Sequence, residues 1–284
     1  MIEIQNLRFS YAGSKHKVFD DLCMTLESDC IYGLLGKNGQ GKSTLLYLIS
    51  GLLRPKNGTI LFENNDTKKR LPETLREIFI VPEEYTMPQM SVKSFIEVNK
   101  SFYPRFSEAI LYDCLKDFDV PDLSNLKTLS MGQKKKVYMS FALAARTRLL
   151  LMDEPTNGLD IPSKSLFRKV ISKHMTEDRT LIISTHQVHD VESLLDHILI
   201  LDNARLKLNA SVADITQQYS FEFRQPSEMD DNDILYAEPS LQGNAVIARR
   251  KAESPETNIN LELFFNAVTK GAISINPSKN NPSL

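Results

Sequence analysis

The stretch GLLGKNGQGKSTLL, Gly33–Leu46, decides the fold of this 284-residue chain. The apolar segment Ile31–Leu35 runs into it and predicts a buried β-strand. The residues Ser43–Ser50 predict a helix that ends before Gly51. A glycine-rich turn between a strand and a helix points several backbone N–H groups toward one place, where they can bind phosphate.

Within this turn, Gly36–Ser43 has the spacing G-x-x-x-x-G-K-S, which in a strand-to-helix context predicts a P-loop. Lys42 then supplies a positive charge for the β- and γ-phosphates, and Ser43 offers a hydroxyl to Mg²⁺. Thr44 is placed to contact a phosphate oxygen. The loop alone leaves GTPases, kinases and motor ATPases open. The candidate nucleotide-binding residues of the loop are Gly36, Lys37, Asn38, Gly39, Gln40, Gly41, Lys42, Ser43 and Thr44.

A second apolar segment, Leu149–Met152, ends in the adjacent acids Asp153 and Glu154. Strand alternation and the bend at the strand end give these two carboxylates different directions. We expect Asp153 to hold Mg²⁺ and Glu154 to lie near the γ-phosphate, where it orients or deprotonates the attacking water.

Composition excludes several classes of protein. The formal net charge is -2 and 25% of the residues are charged, so the basic bias of a nucleic-acid-binding protein is absent and we expect no nucleic-acid partner. No stretch approaches the roughly 18 to 20 apolar residues that span a bilayer. The three cysteines, Cys23, Cys30 and Cys114, lack the spacing of a zinc site or a disulfide framework and fit a reducing compartment.

Short apolar segments alternate with helical patterns along the first part of the chain, which predicts an α/β fold with a mostly parallel sheet covered on both faces. From Ser91 to about Met139 the pattern is helical, and Val188–Leu195 also predicts a helix. Composition shifts after about Asn209. We therefore predict a nucleotide-binding domain over 1–209 and a small accessory region over 210–284 with a loose tail.

The segment Leu129–Gln133, LSMGQ, lies about twenty residues before Asp153–Glu154 and resembles the LSGGQ signature of ATP-binding-cassette (ABC) transporter subunits. Met131 replaces one glycine of that signature. The resemblance implies that Ser130, Met131, Gly132 and Gln133 bind the γ-phosphate of an ATP held on the P-loop of a second subunit. Ser130 is also a good N-cap for a helix through Ala145. The run Lys134–Lys136 is interpreted as a solvated helix face.

Three further residues match landmarks of the same family, and a fourth departs from one. The resemblance implies that Tyr11 stacks on adenine, that Asp160 lies in a loop touching the opposing subunit, and that His186 contacts the γ-phosphate. The family usually has glutamine at the end of the strand Ile78–Val81, where this chain has Glu83. Some subunits of ABC-2 type exporters carry a similar Pro-Glu. Glu83 is thus a candidate Mg²⁺ ligand and an altered catalytic sensor.

The resemblance implies a P-loop NTPase (RecA-like) core with an antiparallel β subdomain and a helical signature subdomain at about 87–143. It implies an ATPase that dimerises, most simply as a homodimer, around two Mg-ATP. It also implies an integral membrane permease that contacts 87–143, and hence a peripheral place on the cytoplasmic face of the membrane. Export is the expected direction. An importer subunit, a soluble ABC ATPase and a catalytically dead nucleotide sensor stay open as alternatives.

Overall fold

A computed structural model describes residues 1–120, 125–176, 178–229, 232–241, 243–251 and 255–274 of the chain. The end of the tail predicted for the accessory region, 275–284, lies outside them. The strands are β1 (Ile2–Phe9), β2 (Phe19–Leu26), β3 (Ile31–Leu35), β4 (Asn57–Phe62), β5 (Asn65–Asp66), β6 (Ile78–Val81), β7 (Leu149–Asp153), β8 (Thr180–Thr185), β9 (His197–Asp202), β10 (Arg205–Ser211), β11 (Tyr219–Arg224), β12 (Ile234–Ser240) and β13 (Gly243–Arg249). The helices are α1 (Lys42–Ile49), α2 (Pro72–Leu75), α3 (Val92–Lys100), α4 (Glu108–Asp117), α5 (Met131–Ala144), α6 (Ile161–His174), α7 (Val212–Gln218) and α8 (Leu261–Thr269).

The central sheet has the strand order β10-β9-β3-β8-β7-β6. All its pairs are parallel except β10 with β9, which closes one edge in antiparallel register. Side chains along β7 alternate between two apolar clusters: Leu150 and Met152 belong to one, Leu149 and Leu151 to the other. This alternation buries both faces of the sheet and confirms the predicted α/β fold.

One face of the central sheet is covered by α1 and by a second, antiparallel sheet of order β2-β1-β4-β5. The buried side chains between the two sheets include Leu7, Phe19 and Leu45. This is the antiparallel β subdomain that the resemblance implies. The start of β2 lies beside the loop that follows β3, since a Cβ on Gly41 of that loop would lie 2.9 Å from the ring of Phe19.

The opposite face carries the helices of the segment that the sequence predicts to be helical. Helices α3, α4 and α5 occupy this segment, and the fully buried ring of Phe141 on α5 contacts Phe95, Tyr103 and Phe106. Aromatic pairs at such separations add to the free energy gained by burial alone. The aromatic cluster therefore fixes α5, and with it the start of that helix at Met131.

The residues after β10 form a three-stranded antiparallel sheet, β11-β13-β12, flanked by α7 and α8. The ring of Phe264 on α8 is fully buried. Its centroid lies 6.3 Å from the ring centroid of Tyr219 and 6.2 Å from that of Phe221. These residues belong to the same apolar cluster as α3–α6. Strand β10, Arg205–Ser211, contains the predicted boundary at position 209. The division of the chain into a domain over 1–209 and an accessory region over 210–284 therefore stays a prediction.

One predicted helix is wrong. Val188–Leu195 forms two single turns of 3₁₀-helix, Val188–Asp190 and Glu192–Leu194, instead of one α-helix. Val191 between them has φ −127°, outside the helical range, so the apolar spacing there reflects two packed turns. Within the described residues, no helix combines the length and the apolar composition needed to cross a bilayer.

Candidate functional site

The candidate residues meet at one edge of the central sheet. Strands β3, β8 and β7 are neighbours and parallel, so their carboxyl ends lie side by side. The P-loop follows β3, Asp153 and Glu154 end β7, and His186 follows β8. Open α/β sheets bind ligands at this edge, which is where the predicted phosphate loop and the predicted catalytic acid come together.

Two glycines shape the P-loop. Gly41, at the start of α1, has φ +94°, and a Cβ there would lie 2.8 Å from Val18 Cγ1. A Cβ on Gly36 would lie 2.8 Å from the backbone oxygen of Leu201. Larger residues therefore do not fit at either position without a shift of the surroundings. The buried Lys42 ammonium donates a 2.8 Å hydrogen bond to the Gly36 oxygen across the loop.

The remaining loop residues differ in exposure. Lys37, Asn38 and Gly39 are exposed, whereas the Gln40 side chain accepts a 2.7 Å hydrogen bond from the backbone N–H of Asn203. On the other side of the loop, the Thr44 hydroxyl lies 2.8 Å from the hydroxyl of Tyr11, which is 46% exposed. Tyr11 therefore lies beside the P-loop, its ring packed edge-on against Phe9, and adenine stacking stays a prediction for this residue.

Glu154 connects the P-loop to His186. Its Oε1 lies 3.0 Å from His186 Nδ1 and 3.5 Å from Lys42 Nζ. The residue has φ +45°, a left-handed conformation that costs about 1–3 kcal/mol for a residue with a side chain. Its backbone N–H donates to the oxygen of Ser184, which helps to hold this conformation. The predicted switch histidine and the predicted phosphate-binding lysine thus both contact the predicted catalytic acid.

Asp153 is buried and only partly satisfied. One carboxylate oxygen accepts a hydrogen bond from the Ser184 hydroxyl, while Oδ2 has no hydrogen-bond partner among the described residues. Burial raises the pKa of Asp153, and the hydroxyls of Ser184 and Ser43 oppose that rise. A buried carboxylate oxygen without a partner, next to a serine hydroxyl, fits the oxygen donors that Mg²⁺ prefers. The sequence did not single out Ser184, because a serine within a strand carries no distinctive signal.

Glu83 follows β6, and its carboxylate is exposed. Oε1 accepts a 2.8 Å hydrogen bond from the side-chain amide of Asn157. Asn157 belongs to the loop that follows Glu154, so the segment with Glu83 is tied directly to the segment with the predicted catalytic acid. The sequence predicted no contact for Asn157 itself, although this residue lies in the loop that ends at Asp160.

The signature segment begins α5. The Ser130 hydroxyl accepts a hydrogen bond from the Gln133 N–H, and the Gln133 side chain accepts one from the Ser130 N–H, so the predicted N-cap is confirmed as a capping box. Met131 is 67% exposed. Gly132 packs near Gly158 of the same chain. Among the described residues, no hydrogen bond or ion pair joins these four residues to the P-loop of their own chain.

Asp160 has a local role that the sequence did not predict. It is the N-cap of α6, and its Oδ1 accepts a 2.9 Å hydrogen bond from the Ser163 N–H. The Ser163 hydroxyl and N–H lower the pKa of the Asp160 carboxyl. A contact across a subunit boundary stays a prediction for this exposed residue.

The prediction that Lys134–Lys136 forms a solvent-exposed helix face is wrong for Lys135. This side chain is 7% exposed, and its ammonium donates to the backbone oxygens of Glu154, at 2.8 Å, and Asn157, at 2.9 Å. Lys135 lies four residues before the buried Met139, on the same helix face, and that spacing is the signal that could have identified it.

A second group of possible metal ligands, Asp113, Asp117 and His174, lies between α4 and α6. The Lys173 ammonium lies 2.6 Å from Asp113 Oδ2 and 2.7 Å from Asp117 Oδ2. Lys169 Nζ also lies 3.5 Å from Asp117 Oδ1, so lysines of the chain itself supply the positive charge for both carboxylates.

Comparison with known proteins places these residues in a family. A model of the ABC transporter family matches residues 19–157. The ABC transporter ATP-binding protein NatA of Bacillus subtilis strain 168 is 30% identical over 197 residues, which cover 67% of this chain and 80% of NatA. The lantibiotic transport ATP-binding protein SrtF of Streptococcus pyogenes is 31% identical over 201 residues, covering 70% of this chain and 85% of SrtF.

Solved structures share the fold. One described as the ATP binding subunit of an ABC transporter has a TM-score of 0.67 at 24% identity and covers 76% of this chain and 91% of its own. A second structure is a dimeric post-hydrolysis state of the cassette MJ0796 bound to ADP and Pi. It has a TM-score of 0.66 at 21% identity, and the match covers 74% of this chain and 98% of the MJ0796 chain. Together with the relatives and the P-loop geometry, these matches show that the chain belongs to the ABC transporter ATP-binding proteins and is an ATPase subunit of such a transporter.

Proposed function

We propose that two copies of this chain bind two Mg-ATP between them and that hydrolysis drives export through a separate membrane subunit. One observation carries the proposal. Lys42 of the P-loop contacts the acid Glu154, which also contacts His186. The signature helix presents an exposed N-terminus that, within the described part of the chain, forms no hydrogen bond or ion pair with that loop. A second copy can supply this helix end to the nucleotide, and each copy then completes the site of the other.

Electrostatics makes such a dimer depend on ATP. The N-termini of α1 and α5 both carry partial positive charge and free N–H groups, and both would face the triphosphate. Lys42 adds a full positive charge. Without the anion these like charges repel, and with it they are bridged, so ATP binds the closed pair better than the open one.

The residues in contact with Glu154 define its chemistry. Glu154 is the proposed general base or water-positioning group, and His186 is placed to donate a hydrogen bond to a γ-phosphate oxygen. Ser43, Asp153 and Glu83 would hold Mg²⁺, which would neutralise phosphate charge. Lys42, now shared between Gly36 and Glu154, is free to turn toward the phosphates and release the carboxylate for the attacking water.

Size-exclusion chromatography with light scattering and a phosphate-release assay test the shared site. Ser130→Asp keeps a good N-cap but places a negative charge toward the partner's nucleotide. We expect this variant to fold, to stay monomeric with ATP and to lose turnover. Ser130→Asn also keeps the cap, without the charge, and is the matched control. Normal dimerisation and turnover of the aspartate variant would contradict the shared site.

The permease-facing surface is proposed to lie on α3 and the residues after it, where Val98 is 59% and Phe102 65% exposed. A cavity of about 200 Å³ lies beside it. Its lining is mainly aromatic and includes Phe79, Tyr85, Phe95, Tyr103 and Tyr138. Exposed apolar groups next to an aromatic cavity favour docking of an apolar segment from another protein. Because SrtF is a lantibiotic transport protein, we favour export.

Co-purification from membranes tests this surface. Phe102→Glu should lose the membrane partner and leave basal ATP hydrolysis unchanged, because Phe102 lies outside the site. Phe223→Glu, at a residue 57% exposed on β11, is the matched control. Retention of the partner by Phe102→Glu would place the docking surface elsewhere. A multi-helix integral partner supports transport, and an additional periplasmic or lipoprotein binding protein would indicate import.

A further inference from the structure

We propose that Lys135, Asn157 and Glu83 form one positioning unit in which Lys135 is the counter-charge for Glu83. This unit ties the signature helix to the loop of the catalytic acid and to the end of β6 within one chain. The inference rests on the proposed hydrolysis at Glu154. Lys135 itself touches neither the P-loop nor the reacting atoms, so it is a positioning residue.

The hydrogen bonds define the unit. Lys135 Nζ donates hydrogen bonds to the backbone oxygens of Glu154 and Asn157. Glu154 and Asn157 are the first and fourth residues of one turn. The side-chain amide of Asn157 donates to Glu83 Oε1 at 2.8 Å. The ammonium of Lys135 on α5 thus binds the backbone of the loop after β7. The side chain of Asn157 in the same loop binds Glu83.

The ammonium is buried, yet both acceptors it contacts are neutral carbonyls. Among the described residues, no carboxylate forms an ion pair with Lys135. A buried cation is costly unless opposite charges lie nearby. Burial lowers the pKa of Lys135, and the carboxylates of Glu83, Glu154 and Asp153 oppose that shift. These three acids therefore act as its counter-charges at longer range.

Glu83 is the unusual member of this set of charges, because the family resemblance leads one to expect a neutral glutamine there. A third carboxylate repels both the other two and the triphosphate. Lys135 compensates for that added charge. Exchanging both Glu83 and Lys135 for glutamine leaves the formal charge of the site unchanged, whereas Lys135→Gln alone makes it one unit more negative.

The position of Lys135 also links two motifs. It lies one turn after the signature residues Met131 and Gly132, and Gly132 packs near Gly158 of the loop that Lys135 holds. In the proposed dimer, the signature faces the ATP of the partner while Glu154 acts on the ATP of its own chain. Lys135 therefore sets the spacing between the two sites to which each chain contributes.

A double-mutant cycle on the full-length chain tests the pairing. The proteins are wild type, Glu83→Gln, Lys135→Gln and the double variant, with phosphate release measured as kcat and KM for ATP. We expect Lys135→Gln to lower kcat about 10- to 100-fold, the size of a misplaced catalytic group, with a smaller change in KM. The double variant should recover kcat to near that of Glu83→Gln, which serves as the reference for the cycle whatever its own kcat.

Two controls separate positioning from simple structural damage. Lys135→Arg keeps the charge and the donors and should restore most of kcat, whereas Lys134→Gln removes one charge from the same helix without touching the loop and should leave kcat unchanged. Thermal melting monitors folding. If Lys135→Gln does not fold, a folded double variant supports the pairing, and failure of both overturns it.

The outcomes also separate this inference from the proposed function. A wild-type protein that releases no phosphate would contradict the ATPase mechanism itself. An active wild type in which the two defects simply add, or in which Lys135→Gln keeps full kcat, overturns the pairing of Lys135 with Glu83 and leaves the mechanism standing.

Discussion

Lys42 Nζ lies 3.5 Å from Glu154 Oε1, and each side chain is only 6% exposed. The proposed phosphate-binding cation and the proposed catalytic acid therefore neutralise each other inside the protein. His186 Nδ1 lies 3.0 Å from the same oxygen, Glu154 Oε1. Because removing one member of a buried pair leaves the other uncompensated, changes at this contact should lower the stability of the protein without nucleotide.

The first prediction concerns Glu154→Gln. The amide keeps the size of the side chain but cannot take a proton from water, so phosphate release should fall by about 10²- to 10⁴-fold. ATP binding by the P-loop should remain. The variant should therefore accumulate as an ATP-bound dimer, which size-exclusion chromatography with ATP and Mg²⁺ detects. Ordinary turnover by Glu154→Gln would remove this residue from its proposed role.

The second prediction concerns Gly41→Ala in the P-loop. Gly41 and the control Gly13 both have positive φ, at +94° and +76°, so alanine costs about 1–2 kcal/mol at either position. At Gly41 the new Cβ would also lie 2.8 Å from Val18 and 2.9 Å from Phe19, whereas at Gly13 nothing lies within 4 Å.

Overpacking should therefore cost Gly41→Ala about 1–3 kcal/mol more than Gly13→Ala, as measured by urea unfolding. Calorimetry should also show weakened ATP binding for Gly41→Ala alone, because the loop must shift to relieve the clash. Equal unfolding free energies and equal ATP affinities for the two variants would show that the loop tolerates a Cβ.

The third prediction concerns pH. The ring of His197 on β9 lies 4.9 Å from that of Tyr32, and burial lowers its pKa below the ordinary 6.5, against the opposing effect of Asp196. The unfolded chain then binds a proton more readily than the folded one. Stability due to His197 is therefore present above pH 6.5 and is lost as the pH falls below it.

His197→Phe keeps an aromatic ring against Tyr32 and removes the proton site. Urea unfolding at about pH 7.5 and about pH 5.5 should show a smaller acid-induced loss for this variant than for wild type. Part of the loss should persist, because burial also lowers the pKa of His174. An identical loss in both proteins would mean that His197 does not contribute to the acid sensitivity.

The sequence was sufficient where a local pattern has one structural solution. The spacing of Gly36–Ser43 predicted a P-loop between an apolar strand and a helix, and the segment lies between β3 and α1. Ser130, a preferred N-cap residue, predicted a helix start that the structure confirms, and Gln133 completes a capping box there. Both are short-range features, in which the residues that make the structure are adjacent in the chain.

The sequence was insufficient where contacts join distant segments. Lys135 looked solvated because it stands in a run of lysines, yet the loop after β7 covers it. Asn157 meets Glu83 across 74 positions, a contact that no local pattern encodes. Val188–Leu195 has helical spacing, but Val191 breaks the helix into two short turns. Long-range packing decided each of these cases.

The central claim is that two copies of the chain share each ATP, and a crystal structure of Glu154→Gln with ATP and Mg²⁺ tests it most directly. We expect a dimer in which the γ-phosphate lies near Lys42 of one chain and within hydrogen-bond distance of the Ser130 hydroxyl and the Gly132 N–H of the other. An ATP-bound monomer, or a dimer in which Ser130 lies far from every γ-phosphate, would contradict the account.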